Sequence, residues 1–161
     1  MRHFLVVLLV ITALVGSATV AFAATTTQGA ANLHQFDGSG IKAKVQITDT
    51  GSTLTVTGQA TGFAPGASYL SLFYDNGSIP SGPNACEPSL ADNISFPQMF
   101  IGFWHNNGNG TGTLSATKAG TSYVSLDLVH TMSIRQDVNP SLPPGPARFQ
   151  RRACGEVHSA D

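Results

Sequence analysis

The side chains here that could hold a metal, form a covalent link or attract an anion are few: some histidines, two cysteines and a pair of arginines. His105 and His130 each follow the end of an expected strand. With Asp75 or Asp137 they could make an improvised site, because imidazole and carboxylate suit zinc or copper. Their spacing matches no zinc motif, and exposed turn histidines are the simpler reading. His34 falls in a segment without periodicity and reads as a solvated histidine. Cys86 and Cys154 are the only cysteines. In an oxidising compartment they would form one disulfide, closing a loop of about 69 residues and contributing roughly 4 kcal/mol in the chain-entropy picture; two free thiols are the alternative. Cys154 sits in Arg151-Arg152-Ala153-Cys154-Gly155-Glu156-Val157, almost at the chain's end.

Other chemistry finds no support in the motifs. There is no Gly-x-Ser-x-Gly elbow, phosphate-binding Gly-Lys-Ser loop or His-Glu-x-x-His pair, which argues against hydrolase and nucleotide readings. The formal net charge is −1 with histidine neutral, far from the basic excess that nucleic-acid binding uses. Asn76, Asn93 and Asn109 start Asn-x-Ser/Thr triplets, which matter only in a glycosylating cell.

The first residues bear on compartment. Arg2, an apolar run from Phe4 to Val15 and small residues ending in Ala21-Phe22-Ala23 form the pattern of a secretory signal peptide over 1–23. Cleavage after Ala23 leaves 138 residues and seven basic against nine acidic side chains. That is one domain, large enough for a core, with no stable membrane span. Residues 24–36 are expected to be a flexible leader and 37–161 the domain.

From Ile41 the chain alternates. Ile41, Ala43, Val45 and Ile47 face one side and Lys42, Lys44, Gln46 and Thr48 the other, a half-buried strand. Asp49-Thr50-Gly51-Ser52 turns it into a second strand over Thr53–Thr61, with Leu54 and Val56 inward. Further strands are expected over Ser68–Tyr74, Met99–Trp104, Gly112–Thr117, Thr121–Leu128, Thr131–Asp137 and Ala153–Val157. A long Pro/Asn/Ser-rich loop over Ser78–Pro97 carries Cys86, and a Pro-rich loop spans Asn139–Gln150. Eight short strands, Gly/Pro/Asn turns and no convincing helix indicate an all-β antiparallel sandwich or Greek-key barrel. Phe96, Phe100, Phe103 and Trp104 crowd one strand. Core packing is the ordinary explanation and an aromatic binding face the other.

These residues resemble the copper/zinc superoxide dismutase superfamily over nearly the whole chain after residue 36. Leu54-Thr55-Val56-Thr57-Gly58 with Gly62-Phe63-Ala64-Pro65-Gly66 is similar to the family's second strand and its glycine-bounded connection. Cys86 falls in the long loop after the third strand, where the family has its loop cysteine. Arg151-Arg152-Ala153-Cys154-Gly155 resembles its terminal Arg-x-Ala-Cys-Gly. The resemblance implies an eight-stranded Greek-key barrel with a Cys86–Cys154 disulfide. Dimerisation rests on the resemblance only.

The family's ligands do not carry over. Its His-Val-His strand corresponds to Ser71-Leu72-Phe73, Phe100 takes the zinc aspartate's place and Arg135 that of the last copper histidine. Arg151 matches the anion-guiding arginine, although pairing with a loop carbonyl near the disulfide is an equal reading of it. The expectation is a secreted or periplasmic superoxide dismutase-like barrel that has lost both metals and acts as a non-catalytic binding or structural module for a protein or surface ligand. A vacated pocket would fill with apolar side chains. The alternative is a divergent metal-binding protein or dismutase that holds copper or zinc through His105 and His130.

Overall fold

The computed structural model describes residues 25–75, 86, 94–145 and 147–160. The expected signal peptide over 1–23 and most of the Ser78–Pro97 loop lie outside the described residues. Among the described residues are nine strands: β1 (Thr27–Gln35), β2 (Lys42–Asp49), β3 (Thr53–Thr61), β4 (Ser68–Tyr74), β5 (Phe100–Phe103), β6 (His105–Asn106), β7 (Thr111–Ala119), β8 (Thr131–Asp137) and β9 (Phe149–Ala160). One helical turn, α1 (Phe96–Met99), precedes β5. Among the described residues no helix is long and apolar enough to cross a membrane.

All pairings are antiparallel, in the order β5-β4-β8-β9-β1-β2-β3-β7-β6. The outermost strands β5 and β6 are consecutive in the chain, joined only by Trp104. β5 pairs with β4, the Trp104 N–H donates to Tyr69 O of β4 at 2.9 Å, and β6 pairs with β7. A single bent strand thus brings the sheet's two ends together into a nearly closed barrel. With β5 and β6 counted as that one bent strand, the β3–β4 and β7–β8 connections each pass over two intervening strands, which is Greek-key wiring.

Alternation decides which side chains fill the barrel. Ala43, Val45, Ile47, Leu54, Val56 and Ala60 point inward from β2 and β3 and are buried. The Trp104 indole lies among them, 5 % exposed, with Nε1 donating to Ser71 Oγ at 2.8 Å. Across the barrel Gly58 makes room for it: a Cβ there would stand 2.9 Å from Trp104 Cη2. Phe63 stacks on Tyr69 (centroids 3.9 Å apart) and meets Trp104 edge-on at 5.7 Å.

Two expectations need correction. The segment read as a flexible leader over 24–36 contains β1, which pairs with β2 on one side and β9 on the other. Its inward residues are Gly29, Ala31 and Leu33. Gly29 is small because Leu126 already fills the space: a Cβ there would be 2.9 Å from Leu126 Cδ2. The alternation exists, but at Gly29 and Ala31 the inward side chains are too small to register as apolar. Thr121–Leu128 is not a strand. It forms two 3₁₀ turns, Gly120–Ser122 and Leu126–Leu128, folded over the buried Asp49 carboxylate, which accepts from the Leu126 N–H at 2.9 Å and the Tyr123 hydroxyl at 3.0 Å. Val124 and Leu126 are buried beneath. With β1 and β6 added and this segment removed, the expected eight strands become nine.

If Trp104 needs the space left by Gly58, Gly58→Ala should lower stability by about 1–3 kcal/mol through overpacking. Gly102→Ala is the control, since a Cβ there meets Ala116 Cβ at an ordinary 3.5 Å. Urea unfolding of both variants measures the difference.

Candidate functional site

The register of β4, β8 and β9 shows which of the compared positions can act together, because directly opposed residues share a face. Ser71 opposes Ile134 and Phe73 opposes Met132, and all four are buried without measurable exposure. Leu70 opposes Arg135 and Leu72 opposes Ser133. Ser71 and Phe73 therefore lie on the face opposite to Arg135, and Ser71 is occupied by the Trp104 indole. The residues sharing Arg135's outer face are Leu70 and Leu72, one position away from those the resemblance selects. Leu70 also opposes Phe103 and Leu72 opposes Phe100 across a bulge.

These side chains form an apolar groove on the barrel's outer surface. It encloses about 410 Å³, walled by Leu70, Leu72, Phe96, Phe100, Phe103 and Phe149, with Arg135 among its lining. Phe100 contacts Phe96 and Phe103, at centroid distances of 6.5 and 5.5 Å. Phe96 and Phe103 are 63 % and 59 % exposed, whereas Trp104 points into the core. The aromatic cluster is thus divided: Trp104 packs in the core, whereas Phe96, Phe100 and Phe103 line the outer groove.

Arg135 is buried and its guanidinium joins several elements. Nε donates to the Tyr74 hydroxyl at 2.9 Å, Nη1 to Phe149 O at 3.0 Å and Nη2 to Cys86 O at 3.0 Å. Tyr74 in turn bonds Ser133 Oγ at 2.8 Å. Cys86 is linked to Cys154 (Cα–Cα 6.0 Å, 68 residues apart) and has φ +57°. That left-handed backbone costs a non-glycine residue about 1 kcal/mol or more; the disulfide and the Arg135 bond fix it. Cys86 O, a loop carbonyl beside the disulfide, is thus bonded by Arg135. Arg151 opposes Arg135 on the same face, and its guanidinium carbon lies 3.4 Å from the Phe36 ring centroid, a cation–π stack.

His105 and His130 are not brought together. His105 follows Trp104, whose N–H bonds Tyr69 O, whereas the His130 N–H bonds Tyr74 O at 3.0 Å. Five strand residues separate these anchor points, about 17 Å, too far to share one ion. His130 Nε2 lies 3.5 Å from Asp75 Oδ1, while Asp137, at the opposite end of β4, pairs with Arg148 at 2.7 Å. Among the described residues no three His, Cys, Asp or Glu side chains are grouped as a metal site would require.

No protein-family model matches the chain, and no curated protein is significantly similar to it.

Lys118 went unread in the sequence, although its place in β7 between the inward positions Leu114 and Ala116 and the outward Thr117 and Ala119 puts a lysine on the buried face. Nζ donates to Pro97 O at 3.0 Å and to Phe100 O, tying α1 and β5, and with them Phe96 and Phe100, to the barrel. Burial lowers its pKa from 10.5 to about 8. Between these values the unfolded chain binds more protons than the folded one, so this lysine's contribution grows more favourable as pH rises from about 8 to about 10.5 and is flat below. The urea-measured stability difference between the protein and Lys118→Met should show that slope.

Removing Arg135 leaves the carbonyls of Cys86 and Phe149 without this donor. Arg135→Met should cost on the order of 3 kcal/mol, whereas the more exposed Arg152→Gln should cost about 1 kcal/mol or less. Thermal denaturation of the two variants distinguishes the buried anchor from the surface charge.

Proposed function

We propose that the chain is an exported, superoxide dismutase-like barrel whose metal-bearing face has become an apolar groove, and that it works as a non-catalytic binding module. The observation carrying this reading is that the outer-face residues alongside the position of the last copper histidine are Leu70, Leu72 and Arg135. Two hydrocarbon side chains offer no ligand atom, and a buried guanidinium opposes a cation. The residues present do not fit copper or zinc.

Further support comes from the Greek-key order, the Cys86–Cys154 disulfide at the positions the resemblance implies, and the apolar lining itself. The disulfide is compatible with an extracytoplasmic location; export rests on the signal-peptide pattern over 1–23. A groove with two half-exposed phenylalanines on its rim suits an apolar ligand or partner surface.

The test is metal content. Oxidised protein incubated with excess copper and zinc, then desalted, should carry far less than one metal per chain by elemental mass spectrometry. Stoichiometric metal with dismutase activity would overturn the reading. The face assignment has its own test: the triple variant Leu70→His, Leu72→His, Arg135→His should gain copper, whereas Ser71→His with Phe73→His should gain none and lose stability, because both positions face the core.

A further inference from the structure

The other half of the sheet carries a second concavity, of about 630 Å³, across the outer faces of β1, β2, β3 and β7. Its centre is Lys42 and Lys44, two residues apart on β2 and so on one face. Among the described residues these are the only lysines or arginines whose side chains have no hydrogen bond, ion pair or ring stack within the fold. Lys118 and Arg135 are buried and hydrogen-bonded, Arg148 and Arg152 pair with Asp137 and Asp37, and Arg151 stacks on Phe36. The fold uses every other described cation internally and presents these two to solvent.

The surroundings are neutral and rich in hydrogen-bonding groups. Asn32 and Gln59 oppose Lys44 from the two neighbouring strands, Thr61 opposes Lys42, and Thr113 opposes Gln59 on the next strand. His34 and Asn107 complete the rim. No aspartate or glutamate lines the concavity among the described residues; Glu156, on the far side of β1, lies 3.7 Å from His158. From β1 to β7 the site crosses three inter-strand gaps, about 14 Å.

The geometry points to a binding site for an acidic oligosaccharide, one whose sugar residues bear carboxylate or sulfate groups. The two ammonium groups complement the anionic substituents. The carboxamides and hydroxyls around them, which both donate and accept, match sugar hydroxyls. Nucleic acid is a poorer fit, because among the described residues the lining holds no Phe, Tyr or Trp and only His34 offers a ring on which a base could stack. The site is separate from the apolar groove and does not depend on the function proposed for it.

The experiment is a ¹⁵N-detected titration of the oxidised protein with a uronate trisaccharide, a sulfated trisaccharide, neutral maltotriose and inorganic phosphate. Saturable shifts confined to β1, β2, β3 and β7 are expected with at least one acidic trisaccharide, weakening as salt rises. Affinity should fall at least tenfold in the double variant Lys42→Gln, Lys44→Gln, whose exposed positions leave folding intact. Three results would overturn the assignment: neither acidic sugar binds, the double variant binds as well as the parent, or maltotriose or phosphate matches the acidic sugars at equal concentration.

Discussion

Closure of the barrel depends on one tryptophan. Trp104 interrupts the strand that would otherwise continue from Phe100 to Asn106, and its N–H reaches back to β4 just as the chain turns to β7. The indole then fills the barrel from Ser71 to Gly58. Both effects come from one residue: the side chain that plugs the core also sets where the strand changes partners. Phe63, itself stacked on Tyr69, packs on it from the end where the glycine-bounded connection crosses. Ser71, a polar residue in a buried strand, is accounted for by that indole, since a buried N–H without an acceptor costs about 1–3 kcal/mol.

The outer surface is organised around Arg135 instead. A buried guanidinium is expensive unless its donors are used, and here they tie three parts of the chain: the Cys86 loop, the start of β9 and the end of β4. The groove lies against this cation, and Lys118 holds the groove's other wall from the opposite face of the sheet. Two buried basic side chains therefore hold the walls of the apolar groove, largely by bonding main-chain carbonyls.

Much of the fold was legible because strict alternation over Ile41–Thr61 and the apolar run Ser68–Tyr74 leave few alternatives to strands. β1 was hidden because glycine and alanine take two of its three inward positions, leaving Leu33 as a lone apolar signal. Thr121–Leu128 misled because Val124 and Leu126 are buried as turn residues, held by the side chain of Asp49, far away in sequence. The site was harder to read. The resemblance selects Ser71 and Phe73, which face the core, together with Arg135, which faces outward; neighbouring strand residues take opposite faces, and only the pairing with β8 reveals which face each one takes. His105, read as a turn residue, lies in β6, and the separation of His105 and His130 along β4 depends on main-chain bonds that no local pattern encodes.

The ninth strand has a consequence for how the fold assembles. β9 pairs with β8 on one side and with β1 on the other, so the first and last of the described strands are neighbours. Until β9 docks, β1 and β8 each present an unpaired edge, a template for mispairing with another chain. Docking of β9 removes both edges at once and brings Cys154 to Cys86, so the disulfide covalently seals the closure.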